Sequence, residues 1–266
     1  MEQKITSLKE VNWSDKIEPI IKEAGELALS FYQKITFCEE KESGGMMTEA
    51  DVGVEQQLIK RLEVLLPESG IFGEELGKNA GSNGYDWVID PIDGTTNFVH
   101  GLPYFCVSIS LTYQGKPQIG AIYNPITTEY FYAQRGFGAY VDGKKIQVNK
   151  ISDLSQAVIA VGVPYKKEEQ FEHIVKVLKE MAPKTYAFRH FGAVALDQAY
   201  VAAGRLDAVF FSELGWWDVA AGCLLIEEAG GKVSDFDGNP IDSSYETFLG
   251  AGPELYKQLK QLLNSR

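Results

Sequence analysis

Cysteine, histidine and long apolar runs are all scarce in this sequence. Of its 266 residues only three are Cys (Cys38, Cys106 and Cys223) and three are His. An odd number of widely spaced cysteines, none in a Cys-x-x-Cys pair, excludes a disulfide framework and a thiolate metal site and fits a reducing compartment. His100, His173 and His190 form no i, i+4 pair, which excludes a zinc-protease site. A Walker A loop and a Gly-x-Ser-x-Gly elbow are also missing. No stretch approaches the ~20 apolar residues of a membrane span. The densest, residues 216–226, is interrupted by Asp218. Positive charge is in deficit, with 25 Lys and Arg against 37 Asp and Glu and a net charge of −12, which argues against nonspecific binding to nucleic acid. The start Met1-Glu2-Gln3-Lys4 leads into no apolar signal region. The expectation is a cytoplasmic protein with neither a membrane nor a nucleic acid as partner.

What is present is material for a large core. The chain holds 14 Phe, 13 Tyr and 4 Trp, which excludes a disordered polymer. Its length allows one large domain or two of moderate size. Ile17, Ile20, Ile21, Ala24, Leu27, Ala28 and Phe31 recur at helical spacing behind the capping candidates Asn12 and Ser14. Residues 38–45 read as a charged, flexible loop. A second helix follows Thr48, with Val52, Glu55, Leu58, Ile59, Leu62 and Leu66 on one side, and Pro67 closes it. Residues 85–90, 104–113, 118–123, 129–133 and 139–141 read as strands, with a hairpin at Gln114-Gly115. Gly136 and Gly138 read as turn glycines. The last third alternates: strands at 157–161 and 207–211, helices at 168–181, 192–203, 219–229 and 253–263. This change of rhythm near residue 150 predicts two subdomains, 1–150 and 151–266, and an antiparallel sheet flanked by helices.

The chemistry of the sequence is carried by carboxylates. In Asp90-Pro91-Ile92-Asp93-Gly94-Thr95-Thr96-Asn97 an apolar strand ends in one acid and a second follows across a Pro-fixed turn. Two carboxylates so close repel unless a cation lies between them, and the Ile92 carbonyl is a third oxygen donor. Gly94-Thr95-Thr96 then offers N–H groups and hydroxyls where a helix begins, an anion site beside a cation site. An all-oxygen donor set next to a phosphate points to Mg²⁺. Taken alone, Gly73-Glu74-Glu75 reads as a solvated pair and Asp218 as a helix N-cap. Asp235-Phe236-Asp237-Gly238-Asn239 lacks the later ligands of a calcium loop and reads as a turn.

Gly73 to Glu75, Asp90 to Phe98, and Trp217 to Gly222 followed by Glu228-Ala229-Gly230-Gly231 together resemble the inositol monophosphatase family in order and spacing. The resemblance covers nearly the whole chain. It implies an α+β fold, a layered α/β/α/β/α sandwich of the inositol monophosphatase and sugar phosphatase type, and usually a homodimer. It implies hydrolysis of a phosphate monoester with two or three Mg²⁺ ions and inhibition by Li⁺. Carried over by position, Glu74, Asp90, Asp93, Asp218 and the Ile92 carbonyl become metal ligands, while Gly94, Thr95 and Thr96 hold the phosphate. Asp51, in Thr48-Glu49-Ala50-Asp51, becomes the partner of the Thr95 hydroxyl. Glu74 and Thr95 would orient the attacking water, with Asp93 and Asp218 near the leaving group.

Three places depart from the family pattern. The loop that usually carries Lys and then Asp has Lys41 but Gly or Met at the second position. The Glu that often contacts a sugar hydroxyl, seven residues before the Asp218 position, is replaced by Phe211, with Glu213 two residues further on. Val194 replaces a smaller residue in the substrate-side Gly-x-Ala segment. Trp216 and Trp217 read as core residues, with stacking on a nucleotide base as the alternative. The expected substrate is a small phosphorylated metabolite, inositol 1-phosphate first, with NADP(H) and fructose 1,6-bisphosphate as alternatives on the same scaffold. A non-catalytic regulatory or binding protein is the reading from another class.

Overall fold

The computed structural model describes residues 11–40, 46–164, 168–212 and 214–264. Helix α1 (Trp13–Phe31) places Ile17, Ile21, Ala24 and Ala28 on a fully buried stripe, as its spacing predicts. Its N-cap is Asn12, although the Asn12 side chain makes no capping hydrogen bond. Residues 38–45, expected to be a charged loop, instead contain strand β1 (Cys38–Glu40), antiparallel to β2 (Met46–Thr48). Strand β1 is exposed throughout, so it has no apolar face to show in the sequence. Helix α2 (Glu49–Leu65) starts at Thr48, whose hydroxyl accepts N–H groups of the first turn while Asp51 reaches back to it. Its buried positions are Ala50, Asp51, Val54, Glu55, Leu58 and Leu62, whereas Val52 and Leu66 are only half-buried. Glu55, Leu58 and Leu62 are buried as expected, but the stripe is rotated toward Ala50, Asp51 and Val54, because Asp51 is turned inward to Thr48 and Thr95.

The large sheet is built from β3 (Gly70–Gly73), β4 (Lys78–Asn79), β5 (Tyr85–Asp93), β6 (Cys106–Tyr113), β7 (Lys116–Asn124), β8 (Glu129–Gln134), β9 (Gly138–Val141) and β10 (Lys144–Lys145). Its spatial order is β10-β9-β8-β7-β6-β5-β3-β4. All neighbours are antiparallel except β3 and β5. The short helix α3 (Thr95–Val99) follows β5 directly.

The small sheet is built from β11 (Val158–Val161), β12 (Ala187–Arg189), β13 (Ala208–Ser212), β14 (Lys232–Ser234) and β15 (Thr247–Ala251), in the order β12-β11-β13-β15-β14. Between them in the chain run α4 (Glu168–Met181), α5 (Val194–Ala202) and α6 (Trp216–Glu228), and α7 (Pro253–Leu263) closes the fold. Three apolar cores join five layers, the central one filling both sides of the middle layer. One lies between α1/α2 and the large sheet, holding Trp87, Ile89 and Val107. A second packs α5 and α6 between the two sheets. The third joins the small sheet to α4 and α7. This is the expected α/β/α/β/α sandwich. Burying both faces of a sheet turns strand alternation into continuous apolar runs. The layering also decides where β5 points. Val88 belongs to the central core, so Asp90, two residues on, faces α6.

Candidate active site and metal centre

Pro91 has no N–H to give to the ladder. The pairing of β5 with β6 accordingly slips between Asp90, opposite Ser108, and Asp93, opposite Cys106. This irregularity turns both acids toward the central layer. Asp90 is 1 % exposed, and neither of its carboxylate oxygens receives a hydrogen bond. Burial, then the nearby charges of Glu74, Asp93 and Asp218, push its pKa well above the carboxylate range. Asp90, Asp93 and Asp218 each bring a carboxylate oxygen within 4.8 Å of the other two. Such a group of acids is stable in ionised form only around a cation, and its donors are all hard oxygens. The orphaned Asp90 oxygens therefore fit a divalent metal such as Mg²⁺.

Asp93 is held from the other side. Its Oδ1 accepts the Val194 N–H at 3.0 Å, and its Oδ2 accepts those of Ala195 and Leu196 at 2.7 and 3.3 Å. These are the first N–H groups of α5, which have no partner within the helix. They oppose burial, and the Asp93 pKa settles at about 6. Val194, expected on the substrate side, thus meets the site through its main chain, and its side chain packs against the central core. Asp218 stands at the third position of α6 rather than at the N-cap, and its Oδ2 accepts the Gly215 N–H at 2.6 Å. Glu74 follows β3, and its N–H is bonded to the Ile89 carbonyl, next to Asp90, at 3.2 Å.

Gly94 caps α3 with φ 91°, a left-handed conformation in which any other residue is strained. A Cβ there would also lie 2.9 Å from Ala193 Cβ. The turn presents the first N–H groups of α3, those of Thr95 and the exposed Thr96, outward. The Thr95 hydroxyl lies 2.9 Å from the Ile92 carbonyl and 3.3 Å from Asp51 Oδ1. Asp51 Oδ2 accepts the N–H and hydroxyl of Thr48 at 2.8 and 2.6 Å. Burial outweighs these bonds and raises the Asp51 pKa to about 6.

Three supporting residues carried no assigned role in the sequence. Glu55 accepts the N–H groups of Glu75 and Leu76. Asn97 donates to the Tyr104 and Phe191 carbonyls at 2.8 and 2.7 Å, tying α3 to the segment before α5. Asp197 accepts the Tyr104 hydroxyl at 2.6 Å. The one available signal was an acid on an otherwise apolar helix face, as at Glu55 and Asp197.

Phe211 is fully buried, with its ring stacked on Phe248 at 4.6 Å, and so offers no polar contact. Trp216 is buried, and Trp217 packs edge-on against Phe72 with centroids 5.8 Å apart, in line with the core reading. Gly136 sits in a turn, whereas Gly138 is the first residue of β9; each donates its N–H to Glu228. Residues 235–239 also form a turn, closed by the Asp235 N–H on the Asn239 carbonyl at 3.0 Å. Lys41 and Glu213 lie outside the described residues.

Comparison with known proteins gives a consistent answer. A protein named Nus factor SuhB from Pseudomonas aeruginosa is 39% identical over 223 residues, covering 81% of this chain and 82% of that protein. An inositol-1-monophosphatase from Caulobacter vibrioides is 37% identical over 229 residues, covering 85% and 90%. The crystal structure of the extragenic suppressor protein suhB from Bartonella henselae superposes with a TM-score of 0.91 at 32% identity, covering 96% of this chain and 99% of that one. The model of the inositol monophosphatase family matches residues 13–266. The acids around Asp90 thus belong to a family of phosphatases, and this chain is a member of the inositol monophosphatase family.

Proposed function

We propose that this chain is a Mg²⁺-dependent phosphate monoester hydrolase acting on a small phosphorylated metabolite, with inositol 1-phosphate as its substrate. The observation that carries the reading is Asp90: a buried carboxylate with no hydrogen-bond donor, in a cluster with Asp93 and Asp218. In this reading Glu74, Asp90, Asp93, Asp218 and the Ile92 carbonyl hold Mg²⁺, and Gly94, Thr95 and Thr96 receive the phosphate. Bound there, Mg²⁺ would neutralise the phosphoryl oxygens and make the attacking water more acidic. That help matters because phosphate monoesters are among the slowest bonds to hydrolyse.

The chain's own groups then supply position and proton traffic. The Thr95 hydroxyl accepts a hydrogen bond from the attacking water and passes its own proton toward Asp51 Oδ1, 3.3 Å away. Glu74 fixes the water's second direction, so that attack is in line with the leaving oxygen. Asp93, from the 1–150 subdomain and clamped by α5, and Asp218, from the 151–266 subdomain at the start of α6, approach the leaving group. The site would then sit between subdomains 1–150 and 151–266.

The inositol phosphate assignment is supported by the name of the Caulobacter vibrioides relative. Phe211 stands where the family often has a sugar-binding carboxylate, and it is buried; Glu213, the other candidate for that contact, lies outside the described residues. NADP(H) and fructose 1,6-bisphosphate are the alternatives for the same chemistry. A binding or regulatory protein is the second reading, favoured by the relatives named Nus factor SuhB. The −12 net charge speaks against nucleic acid as its partner. Among the described residues no helix is long and apolar enough to cross a membrane.

Phosphate release from inositol 1-phosphate, NADP⁺, fructose 1,6-bisphosphate and 3′-phosphoadenosine 5′-phosphate, with Mg²⁺ or with EDTA, tests the proposal. The largest kcat/KM names the substrate. Mg²⁺-dependent release that disappears in Asp93→Asn supports the enzyme. No release from a folded protein favours the binding role. Light scattering on the same preparation tests the expected homodimer.

A further inference from the structure

Four successive backbone N–H groups, Gly73 to Leu76, fix the segment that carries Glu74. Gly73 donates to the Gly77 carbonyl at 2.9 Å and Glu74 to the Ile89 carbonyl at 3.2 Å. The next two go to one side chain: Glu75 to Glu55 Oε2 at 2.9 Å and Leu76 to Glu55 Oε1 at 3.0 Å. Glu55 is fully buried on α2. Gly73 is the residue that makes room for it, since a Cβ at Gly73 would overlap Glu55 Oε1.

Asp51 lies one turn earlier on the same helix and faces Thr95. Residues at i and i+4 share a helix face. One rigid element thus grips both the Asp51–Thr95 pair and the Glu74 segment. Glu55 touches neither the acid cluster nor the phosphate turn through any described hydrogen bond; its two acceptors are spent on main chain. A buried carboxylate is expensive to keep, and a chain needing only a closed turn would do so with water or main chain.

We propose that Glu55 is a positioning residue that sets the Glu74 carboxylate against Asp90. This inference rests on the Mg²⁺-phosphatase reading. Its mechanical content is simple. Glu55 holds the two N–H groups that follow Glu74, so releasing one loosens the main chain on that side of Glu74. Outer residues that orient metal ligands typically change metal affinity or activity 10–100-fold when replaced.

The test is Glu55→Gln, which keeps the shape but puts an amide NH₂ where one of the two backbone N–H groups needs an acceptor. Mg²⁺ binding is measured directly by titration calorimetry, alongside kcat and KM. Expected are a Mg²⁺ affinity about 10-fold weaker, a kcat about 10- to 100-fold lower, and a nearly unchanged KM. Glu63→Gln, on the exposed face of α2, leaves all three as in wild type. Wild-type affinity and kcat in folded Glu55→Gln would overturn the proposal. If Glu55→Gln does not fold, Glu55→Asp replaces it, with both oxygens kept but one methylene short, and the same losses are expected. Failure of both to fold assigns Glu55 to stability alone and also overturns it. A wild-type protein that binds Mg²⁺ but releases no phosphate defeats the phosphatase reading instead, and the calorimetry then decides Glu55 by itself.

Discussion

The Thr95 hydroxyl stands 3.3 Å from Asp51 Oδ1, across 44 residues of sequence, and the same hydroxyl lies 2.9 Å from the Ile92 carbonyl. A hydroxyl has one proton, so these two acceptors compete for it. Whichever prevails, the Thr95 oxygen keeps lone pairs free for a water. Asp51→Asn removes the acid end of this relay without disturbing the acid cluster. The expected result is a kcat lower by about 10²- to 10⁴-fold with KM and Mg²⁺ affinity little changed. Steady-state kinetics and calorimetry on the same preparation check it.

Metal binding should release protons. Burial lifts Asp93 to about 6 and Asp90 well above the carboxylate range. A cation must displace whatever protons they hold. Mg²⁺ affinity is expected to rise with pH from 5 to 7, and calorimetry in buffers of different ionisation heats should show net proton release. Equal heats in all buffers would contradict this.

Buried acids with raised pKa values give the metal-free protein an acid-side stability advantage. Asp51 and Asp93 near 6 and Glu55 near 7 all exceed their values in an unfolded chain. A raised acid pKa means that the folded state binds protons more tightly than the unfolded one. Its contribution is complete below the unfolded pKa, about 4, and is lost as pH climbs through 6 to 7. In EDTA, Tm should therefore fall between pH 5 and 7.5, and Mg²⁺ should restore it most strongly at the upper end. Thermal melts at fixed ionic strength read this directly.

Tyr104→Phe takes the 2.6 Å hydroxyl partner from the buried Asp197, which sits one residue beyond the N–H groups clamping Asp93. A loss of about 1–3 kcal/mol is expected, measured by urea unfolding of the metal-free protein. An unchanged midpoint would mean that Asp197 finds other partners.

Sequence periodicity located the main helices to within a few residues, because each buries a long apolar stripe. It also marked Asp90 and Asp93, where two acids follow an apolar run. It missed the two- and three-residue strands β1, β2, β4 and β10 and, in the small sheet, β12, β14 and β15. Strands of two to five residues are too short to show a period, and β15 lies between β13 and β14 with no alternation to read. Asp218 read as an N-cap because it stands directly before the apolar run 219–229, whereas α6 already begins at Trp216 and makes it the third helical residue. Glu55 was hidden for a different reason. Only the packing of α2 beneath residues 73–76 gives its carboxylate two N–H groups to hold.

The central claim is that the acids around Asp90 hold Mg²⁺ for phosphate ester hydrolysis. Its most direct test is phosphate release from inositol 1-phosphate by wild-type protein, first with Mg²⁺, then after EDTA, then with Mg²⁺ restored. The account predicts activity that vanishes with EDTA, returns with Mg²⁺ and is absent from Asp90→Asn. Release that persists in EDTA, or that survives Asp90→Asn unchanged, would contradict it.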